Sequence, residues 1–443
     1  MSKQLIPAFF SRLPSWAGLF ILGLNKYPEI LFGQQYKQKV AQFDRDHSVD
    51  FLAFANSEIH SNAFYKSKYS SPNRISSITE FKARLGFIDK NIVLENFTKI
   101  CSTDLSNADQ CTTGGTSGKP LVLFLPKDRF IYEFSALHAL WSKIGYQFST
   151  RAVVRNERLE GSDFLINPIT KEFIFDGFRT DDAYLLFIYK TMKKYRISFY
   201  HGYTSNAERF ARFLLGQNLD YSFLKGIITS SENLYAHQID LFDKLKGVQH
   251  LNFYGHSEKL ILGGWCTAGK CYHFYNSYGY AELIDSTGND VTEVNEIGEL
   301  VGSTNYNRYM PLFRYKTGDF ARKAPDICPG CGFTGLSAYE ILGRWNGEKI
   351  YANNGDFVTT TALNLHSDIY KHISGLQYYQ PKKGILEVRV VPSPSYSDSI
   401  ELALKEQIQR FCGQSTSITV RRVSDVERHR NGKYRLLISD ITA

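Results

Sequence analysis

Several features by which large classes of protein are recognised are missing from this sequence. No secretion signal opens it, and no apolar run is long enough to span a bilayer. The greasiest stretch, Ser15–Leu24 (SWAGLFILGL), has about ten residues where a span needs about twenty. It is expected to be a helix packed on the body, with a weak membrane-surface contact as the lesser alternative. RNP-like, zinc-finger-array and basic-region patterns are absent. The 52 Lys+Arg and 44 Asp+Glu, a net charge of +8, are spread along the chain rather than gathered in runs. That balance suits anionic small molecules and speaks against a dedicated nucleic-acid stripe. Internal repeats and low-complexity tracts are missing too. With no secretion signal, the seven cysteines indicate a reducing cytoplasm and thiols kept for metal or structure rather than disulfides.

What is present suffices for a large core. Of 443 residues, 43% are hydrophobic and 14% aromatic, which suits two or three domains, or one large unit with a small one. Residues 1–100 have no clean period and read as mostly helical cover. Phe130–Trp141 has apolar residues at helical spacing. Strand-like runs follow at Asp163–Ile166, Phe173–Phe175, Ile197–Tyr200, Gly226–Ser230 and Leu251–Tyr254. Ser205 with Glu208 three residues on is a capping-box signature for an intervening helix, which Gly216 is placed to stop. Strands alternating with helices read as α/β with an at least partly parallel sheet. From Tyr272 to Thr304 the pattern turns to hairpins, with Ala281–Ile284 and Glu299–Gly302 flanking a turn at Ser286–Asn289. Beyond Gly343-Arg344 the composition changes again. Leu386, Val388 and Val390 alternate as a strand, Leu404, Ile408 and Phe411 fit a helix, and Ile418 with Val420 fits a second strand. The expected division is therefore a large domain over 1–343 and a small α+β domain over 344–443.

One stretch stands out within this frame: Thr112-Thr113-Gly114-Gly115-Thr116-Ser117-Gly118-Lys119-Pro120. Its glycines let backbone N–H groups turn toward an anion, its hydroxyls add donors, and Lys119 adds charge. It is not a Walker A loop. That pattern needs four residues between its glycines and Ser or Thr after the lysine. Here three separate Gly114 from Gly118, proline follows Lys119, and the sequel Leu121–Pro126 is a strand-like run instead of a helix. Alone, the loop is as readily a flexible Gly/Ser/Thr connection as a phosphate grip.

Five further segments carry chemistry. Tyr254-Gly255-His256-Ser257-Glu258 follows a strand, where ligands collect in α/β sheets. Arg314-Tyr315-Lys316-Thr317-Gly318-Asp319 places an aspartate behind a glycine turn. Gly343-Arg344 marks the composition change. Asn431-Gly432-Lys433-Tyr434-Arg435 exposes a lysine on a turn, and Cys328-Pro329-Gly330-Cys331 is a metal-type knuckle. Singly, Glu258 is as easily a helix cap, Asp319 a turn residue and Lys433 a solvated lysine.

In this order and spacing the segments resemble the adenylate-forming superfamily, and most closely its phenylacetate–CoA ligase branch with the capsular polysaccharide (CapK-like) relatives. His201-Gly202-Tyr203-Thr204-Ser205, Gly343-Arg344-Trp345, Thr361-Ala362-Leu363-Asn364 and Gln377-Tyr378-Tyr379-Gln380 match the polysaccharide-associated group. The resemblance implies a mixed-sheet adenylation domain with a zinc-bearing strand-rich subdomain and a small mobile C-terminal domain. It implies that ATP converts a small-molecule carboxylic acid to an acyl-adenylate, which is passed to an amine, hydroxyl or thiol. The acceptor would be a sugar nucleotide, a lipid-linked sugar or CoA, in capsule or O-antigen synthesis. The alternatives are an aryl-acid CoA ligase and a non-catalytic, zinc-stabilised nucleotide-binding protein.

By the same resemblance the 112–119 loop, with Thr116 at its centre, holds the β- and γ-phosphates, and Glu258 binds Mg²⁺. Tyr254 and Gly255 lie against adenine, Asp319 accepts from the ribose hydroxyls, and Arg344 sits near ribose and phosphate. Lys433 bridges the acid and the α-phosphate. His201, Gly202, Tyr203, Ser231 and His256 line the acid pocket, and their histidines and tyrosines suit a small polar acid. Cys266 and His273 join Cys328 and Cys331 in a closed structural Zn²⁺ site, with Cys271 as the competing ligand. Two departures are visible. The loop reads TGGTSG where many members have TSGTTG, which keeps glycines and hydroxyls. The charged hinge residue is replaced by Asn346, which weakens the case for a domain swivel and a thioester-forming second step.

Overall fold

The computed structural model describes residues 15–24, 28–43, 45, 48–69, 73–112, 121–155, 158–159, 161–179, 181–232, 234–342, 349–355, 357–360, 363, 369, 372–427 and 436–441. Two compact units emerge: residues 1–108 with 125–344, and residues 109–124 with 345–443.

The first unit begins with the expected helical cover: α1 (Ser15–Leu24), α2 (Pro28–Gln42), α3 (Ser48–Ser61), α4 (Ala63–Lys68), α5 (Ile78–Arg84), α6 (Lys90–Glu95) and α7 (Phe97–Ile100). Leu19 and Leu22 of α1 pack against the core while Phe20 points outward, 66% exposed. No described helix is long and apolar enough to cross a membrane. Next in the chain is a two-stranded sheet, β1 (Ala108–Thr112) with β2 (Val122–Pro126), most of which belongs to the second unit. Strand β2 occupies the stretch where a Walker loop would open a helix. Helix α8 (Arg129–Ser142) comes next, its buried side carrying Phe134, Leu137, Leu140 and Trp141.

A twelve-stranded sheet dominates this unit. Its members are β3 (Arg151–Arg155), β4 (Leu165–Asn167), β5 (Glu172–Asp176), β6 (Phe199–Tyr203), β7 (Gly226–Ser230), β8 (Gln249–Gly255), β9 (Leu262–Cys266), β10 (Cys271–Phe274), β11 (Gly279–Ile284), β12 (Ile297–Thr304), β13 (Tyr315–Lys323) and β14 (Ser337–Leu342). The order is β11-β12-β13-β14-β10-β9-β8-β7-β6-β3-β5-β4. Strands β5, β3, β6, β7 and β8 run parallel, and the remaining neighbours are antiparallel. Crossover helices α9 (Asp182–Lys194), α10 (Thr204–Gly216) and α11 (Ala236–Asp243) connect the parallel strands. Side-chain alternation divides the core. Tyr200 and Ile227 pack with α9 and α10, whereas their chain neighbours Phe199 and Ile228 pack with α8. Parallel strands covered on both faces are apolar on both faces, which is why their runs show no polar alternation.

Helix α10 starts differently from its sequence signature. Its N-cap is Tyr203, which makes no side-chain cap. Ser205 donates through its backbone N–H (2.7 Å) and hydroxyl (3.1 Å) to the carboxylate of Glu232 at the end of β7. Glu208 instead bonds Arg212 and Gln238. The first-turn donors are satisfied across the fold, so no local capping box forms.

The second unit holds β15 (Lys349–Tyr351) paired with β16 (Phe357–Thr359), and a four-stranded sheet of order β19-β18-β17-β20. Its strands are β17 (Ile373–Lys382), β18 (Ile385–Pro392), β19 (Ser417–Arg422) and β20 (Leu437–Ser439). Strands β18 and β19 are parallel and joined by α12 (Asp398–Cys412), the βαβ element expected from the sequence. Ser397 caps α12 and Gly413, at φ +74°, ends it. Leu386, Val388, Val390, Leu404, Ile408 and Ile418 form the core.

Candidate active site and metal knuckle

The parallel strands end together on one edge of the large sheet. Arg155, Asp176, Tyr203, Ser230 and Phe253 fall in adjoining rows there, fixed by the strand registers. Beyond β8 the chain emerges at Gly255, an exposed glycine with nothing within 4 Å of where a Cβ would stand. Tyr254 donates its hydroxyl to Asp319 Oδ2 at 2.8 Å. Asp319 sits behind Gly318, whose φ of +76° makes the turn, and its own N–H is held by Thr317 Oγ1 at 3.1 Å. His256 lies with its ring 6.1 Å from that of Tyr254. Its Nδ1 is 2.9 Å from Glu258 Oε2, and Tyr315 donates to Glu258 Oε1 at 3.4 Å. Asp319, Tyr254, His256, Glu258 and Tyr315 are thus one connected set at the sheet edge. His256 Nε2 is buried there with no hydrogen-bond partner. Lys259, at φ +58°, closes the segment by an ion pair to Glu133 of α8 at 2.7 Å. Carboxylate oxygens such as those of Glu258 are the ligand type Mg²⁺ takes.

The other expected site residues distribute as follows. Thr112 is half-buried at the end of β1. Thr113, Gly114, Gly115, Thr116, Ser117, Gly118, Lys119, Arg344 and Lys433 lie outside the described residues. Gly202 is closely packed, since a Cβ there would stand 3.3 Å from Tyr200 and from the Val154 carbonyl. Tyr203 is half-buried, and Ser231 is exposed with a φ of +66°. His201 is drawn beneath the edge. Arg151, which can only donate, gives a 2.7 Å hydrogen bond to its Nδ1, leaving the proton on Nε2. Burial and the Arg151 charge push its pKa well below the ordinary histidine value, so it is neutral.

The sequence reading missed what Arg151 belongs to. Arg151 and Arg155 on β3 share Glu172 on β5, with Arg151 to Glu172 at 2.8 Å. Burial would raise the Glu172 carboxyl, but the two guanidinium groups and Thr170 outweigh it and hold it low. The readable signal was a strand, RAVVR, that opens and closes on arginine yet is buried throughout most of its length.

At the far end of β9 a second cluster forms. Cys266 and Cys271 are cross-strand partners, and His273 follows on β10. Cys328 and Cys331 arrive on a tight turn, with Gly332 N–H bonded to the Cys328 carbonyl at 2.9 Å. The ligand atoms of Cys266, His273, Cys328 and Cys331 all lie within 4.8 Å of one another. A tetrahedral zinc site would draw sulfurs to about 3.8 Å apart. His273 Nε2 faces Cys331 Sγ at 3.3 Å. Its Nδ1 is 2.9 Å from Ser337 Oγ, whose hydroxyl is directed at the Gly335 carbonyl. That relay leaves the proton on Nδ1 and turns the Nε2 lone pair toward the cysteine thiols. Cys271 packs against the same cluster, its Sγ 3.9 Å from Nδ1, and is buried beside Cys266 and Cys328. A Cβ on Gly269 would sit 2.2 Å from Cys328 Sγ, and one on Gly330 would sit 2.3 Å from the Ala268 carbonyl oxygen. Only glycines admit this knuckle.

Known proteins share the architecture. The fold is similar to 2-hydroxyisobutyryl-CoA ligase in the postadenylation state with R3-HIB-AMP, with TM-score 0.51, 14% identity and 90% of each chain covered. It is equally similar to that ligase with 2-HIB-AMP and CoA in the thioesterification state, with TM-score 0.51, 15% identity, and 98% of this chain and 92% of that one covered. This is the fold of an adenylate-forming ligase. The chain is also 22% identical over 405 residues to Protein CapK of Staphylococcus aureus, spanning 87% of this chain and 86% of that protein. Residues 350–440 match the CapK C-terminal domain family. The resemblance read from the sequence therefore stands: a CapK C-terminal domain on a chain that is CapK-like over most of its length.

Proposed function

We propose that this protein is a carboxylate ligase that activates an acid with ATP and passes the acyl group to a second acceptor. The observation that carries this is the connected set Tyr254–Asp319 and His256–Glu258–Tyr315 at the carboxyl edge of a parallel sheet. Ligands of open α/β sheets bind at that edge. In the reaction an oxygen of the acid attacks the α-phosphorus, the new O–P bond forms, and the bond to the β-phosphate breaks to release pyrophosphate. Two anions must meet, so positioning and charge neutralisation carry the rate. Asp319, oriented by Tyr254, accepts from the ribose hydroxyls. Glu258 would hold Mg²⁺, which supplies charge neutralisation at the phosphates. Thr116 and its neighbours grip the β- and γ-phosphates, and Arg344 lies by the ribose. Lys433 holds the acid oxygen against the α-phosphate.

The acceptor is an amine or hydroxyl of a sugar nucleotide or lipid-linked sugar in surface-polysaccharide synthesis, in the cytoplasm. The second reading, a CoA ligase, is favoured by the CoA held in a solved structure of similar fold. Acid-dependent exchange of labelled pyrophosphate into ATP tests the first half-reaction. It should vanish in Lys433→Ala, and exchange that persists would remove that lysine from the chemistry. CoA consumption across the same acids separates the two acceptors.

Cys266, His273, Cys328 and Cys331 fit a structural Zn²⁺, because three thiolates and an imidazole with its far nitrogen engaged leave no open position. Elemental analysis should find about one zinc per chain, lost in Cys328→Ser together with thermal stability. A metal-free wild type of unchanged melting temperature would end this assignment.

A further inference from the structure

The zinc reading uses four donors, and the knuckle holds a fifth, Cys271. Strand register puts it among the others. Cys266 and Cys271 are directly paired across the antiparallel strands β9 and β10, so their side chains leave the sheet on the same face. His273 lies two residues beyond Cys271 on β10, and the pleat returns it to that face as well. Cys271 therefore stands between Cys266 and His273.

Packing then closes the remaining distance. A Cβ placed on Gly269 would meet Cys328 Sγ at 2.2 Å, Cys271 Sγ at 3.2 Å and Cys266 Sγ at 3.6 Å, so three sulfurs surround one point. The Cys271 thiol hydrogen-bonds Cys328, and it is buried against Cys266 and Cys328. A core thiol with no further role is usually surrounded by apolar side chains. This one is surrounded by donors of the cluster.

The chemistry of the set allows two shells. Structural zinc sites are built from four thiolates as well as from three thiolates and an imidazole. Four residues separate Cys266 from Cys271 and two separate Cys328 from Cys331, and both intervals fall in the range such sites use between paired cysteines. His273 is held from outside the cluster, its ring stacked on Phe333 at 4.3 Å and its Nδ1 at 2.9 Å from Ser337 Oγ. The imidazole is thus the resting fourth ligand, and Cys271 waits beside it with 1% of its surface exposed.

Building on the zinc reading, we propose that the knuckle is a five-donor metal site in which Cys271 takes the place of His273 when the imidazole is lost or the ion is softer than zinc. The ligand class is a thiophilic divalent cation, held by three thiolates and His273 as zinc or cobalt, and by four thiolates as cadmium. Soft ions favour thiolate over imidazole. The Cys271 proton is released to solvent as its sulfur binds the ion.

Cobalt(II) and cadmium(II), each exchanged into the full chain, test this through thiolate-to-metal charge-transfer absorption per bound ion. Cadmium-loaded wild type should absorb more strongly than cadmium-loaded Cys271→Ser, in the ratio of about four to three set by the thiolate counts, while the two cobalt forms absorb alike. His273→Ala should still hold cobalt, at least about tenfold more tightly than the double variant that adds Cys271→Ser, since even an outer partner of a ligand is felt on that scale. Equal cadmium absorption in wild type and Cys271→Ser overturns the proposal, as does a His273→Ala protein that binds cobalt no better than the double variant. The cadmium comparison leaves His273 intact and decides the matter if His273→Ala does not fold. Cobalt bound without a fourth thiolate recruited by cadmium sinks the exchange and keeps the zinc site. A chain that binds neither ion sinks both.

Discussion

Arg151 and Arg314 are both buried beside a buried glutamate, yet their hydrogen bonding differs. Arg314 is complete. Its Nε and one terminal nitrogen hold Glu282 at 3.2 and 2.9 Å, and the other terminal nitrogen donates to the carbonyls of Lys82 and Leu85, both at 2.7 Å. The guanidinium carbon rests 4.0 Å from the centre of the Phe87 ring. Each of its three nitrogens has an acceptor and one carboxylate serves one guanidinium, so the pair ties α5 and the loop after it to β11 and the start of β13. Arg151 shares its carboxylate with Arg155 and keeps an unanswered Nε. Counting donors against acceptors separates the two where sequence, burial and partner type do not.

The largest test breaks the tie. Glu282→Ala leaves Arg314 buried without a counter-charge and should cost about 3–5 kcal/mol in urea unfolding, with exchange selectivity among acids unchanged in whatever protein folds. Glu172→Ala, which strips the shared carboxylate from both Arg151 and Arg155, should cost at least as much. If Glu172→Ala costs less than Glu282→Ala, the contrast fails.

Acid should find the Arg151 side first. His138 and His201 there, and His250 on β8, have pKa values pushed down by burial, with Arg151 adding to the effect on the first two; for His250 the value falls to about 3. Each is neutral when folded, whereas the unfolded chain takes up a proton below the ordinary value of 6.5. Stability is therefore complete above that pH and declines as pH falls, by about 1.4 kcal/mol per pH unit for each histidine. Glu172, held low, adds a loss that begins only below its unfolded value of 4.5. Urea midpoints from pH 7 to 5 should show the histidine slope, and His201→Asn should remove about a third of it. A flat profile would mean the histidines are not buried as neutral groups.

The smallest effect belongs to the rim of the Arg314 tie. Lys82 bonds exposed Asp290 at 2.7 Å and lies 3.9 Å from Glu282. With Glu282 already satisfied, Lys82→Ala should cost about 0.2–1 kcal/mol, and less in high salt. A loss comparable to Glu282→Ala would show that Arg314 is not self-sufficient.

Much was legible beforehand, for identifiable reasons. Short apolar runs set between helical periods marked β5, β7 and β8, and Leu386-x-Val388-x-Val390 marked β18. Tyr254, Asp319 and Glu258 were nameable because a glycine turn and a strand end hold them in fixed local positions. Cys266, His273, Cys328 and Cys331 came as a set because thiol and imidazole are scarce and their chemistry is particular. The start of α10 was misread because Glu232, distant in sequence, replaces the local cap. The 113–120 loop, Arg344 and Lys433 lie outside the described residues, and their roles stay with the proposal.

The sequence by itself determined the elements, the resemblance to adenylate-forming ligases and the cysteine–histidine set, since each depends on local periodicity or on residue types of distinctive chemistry. Tertiary structure alone decided which arginine has an acceptor at every nitrogen and which shares its carboxylate with a second arginine. That choice is made by acceptors from β5, β6, β11 and α5, brought together across the sheet, and a hydrogen-bond balance exists only once every partner is in place.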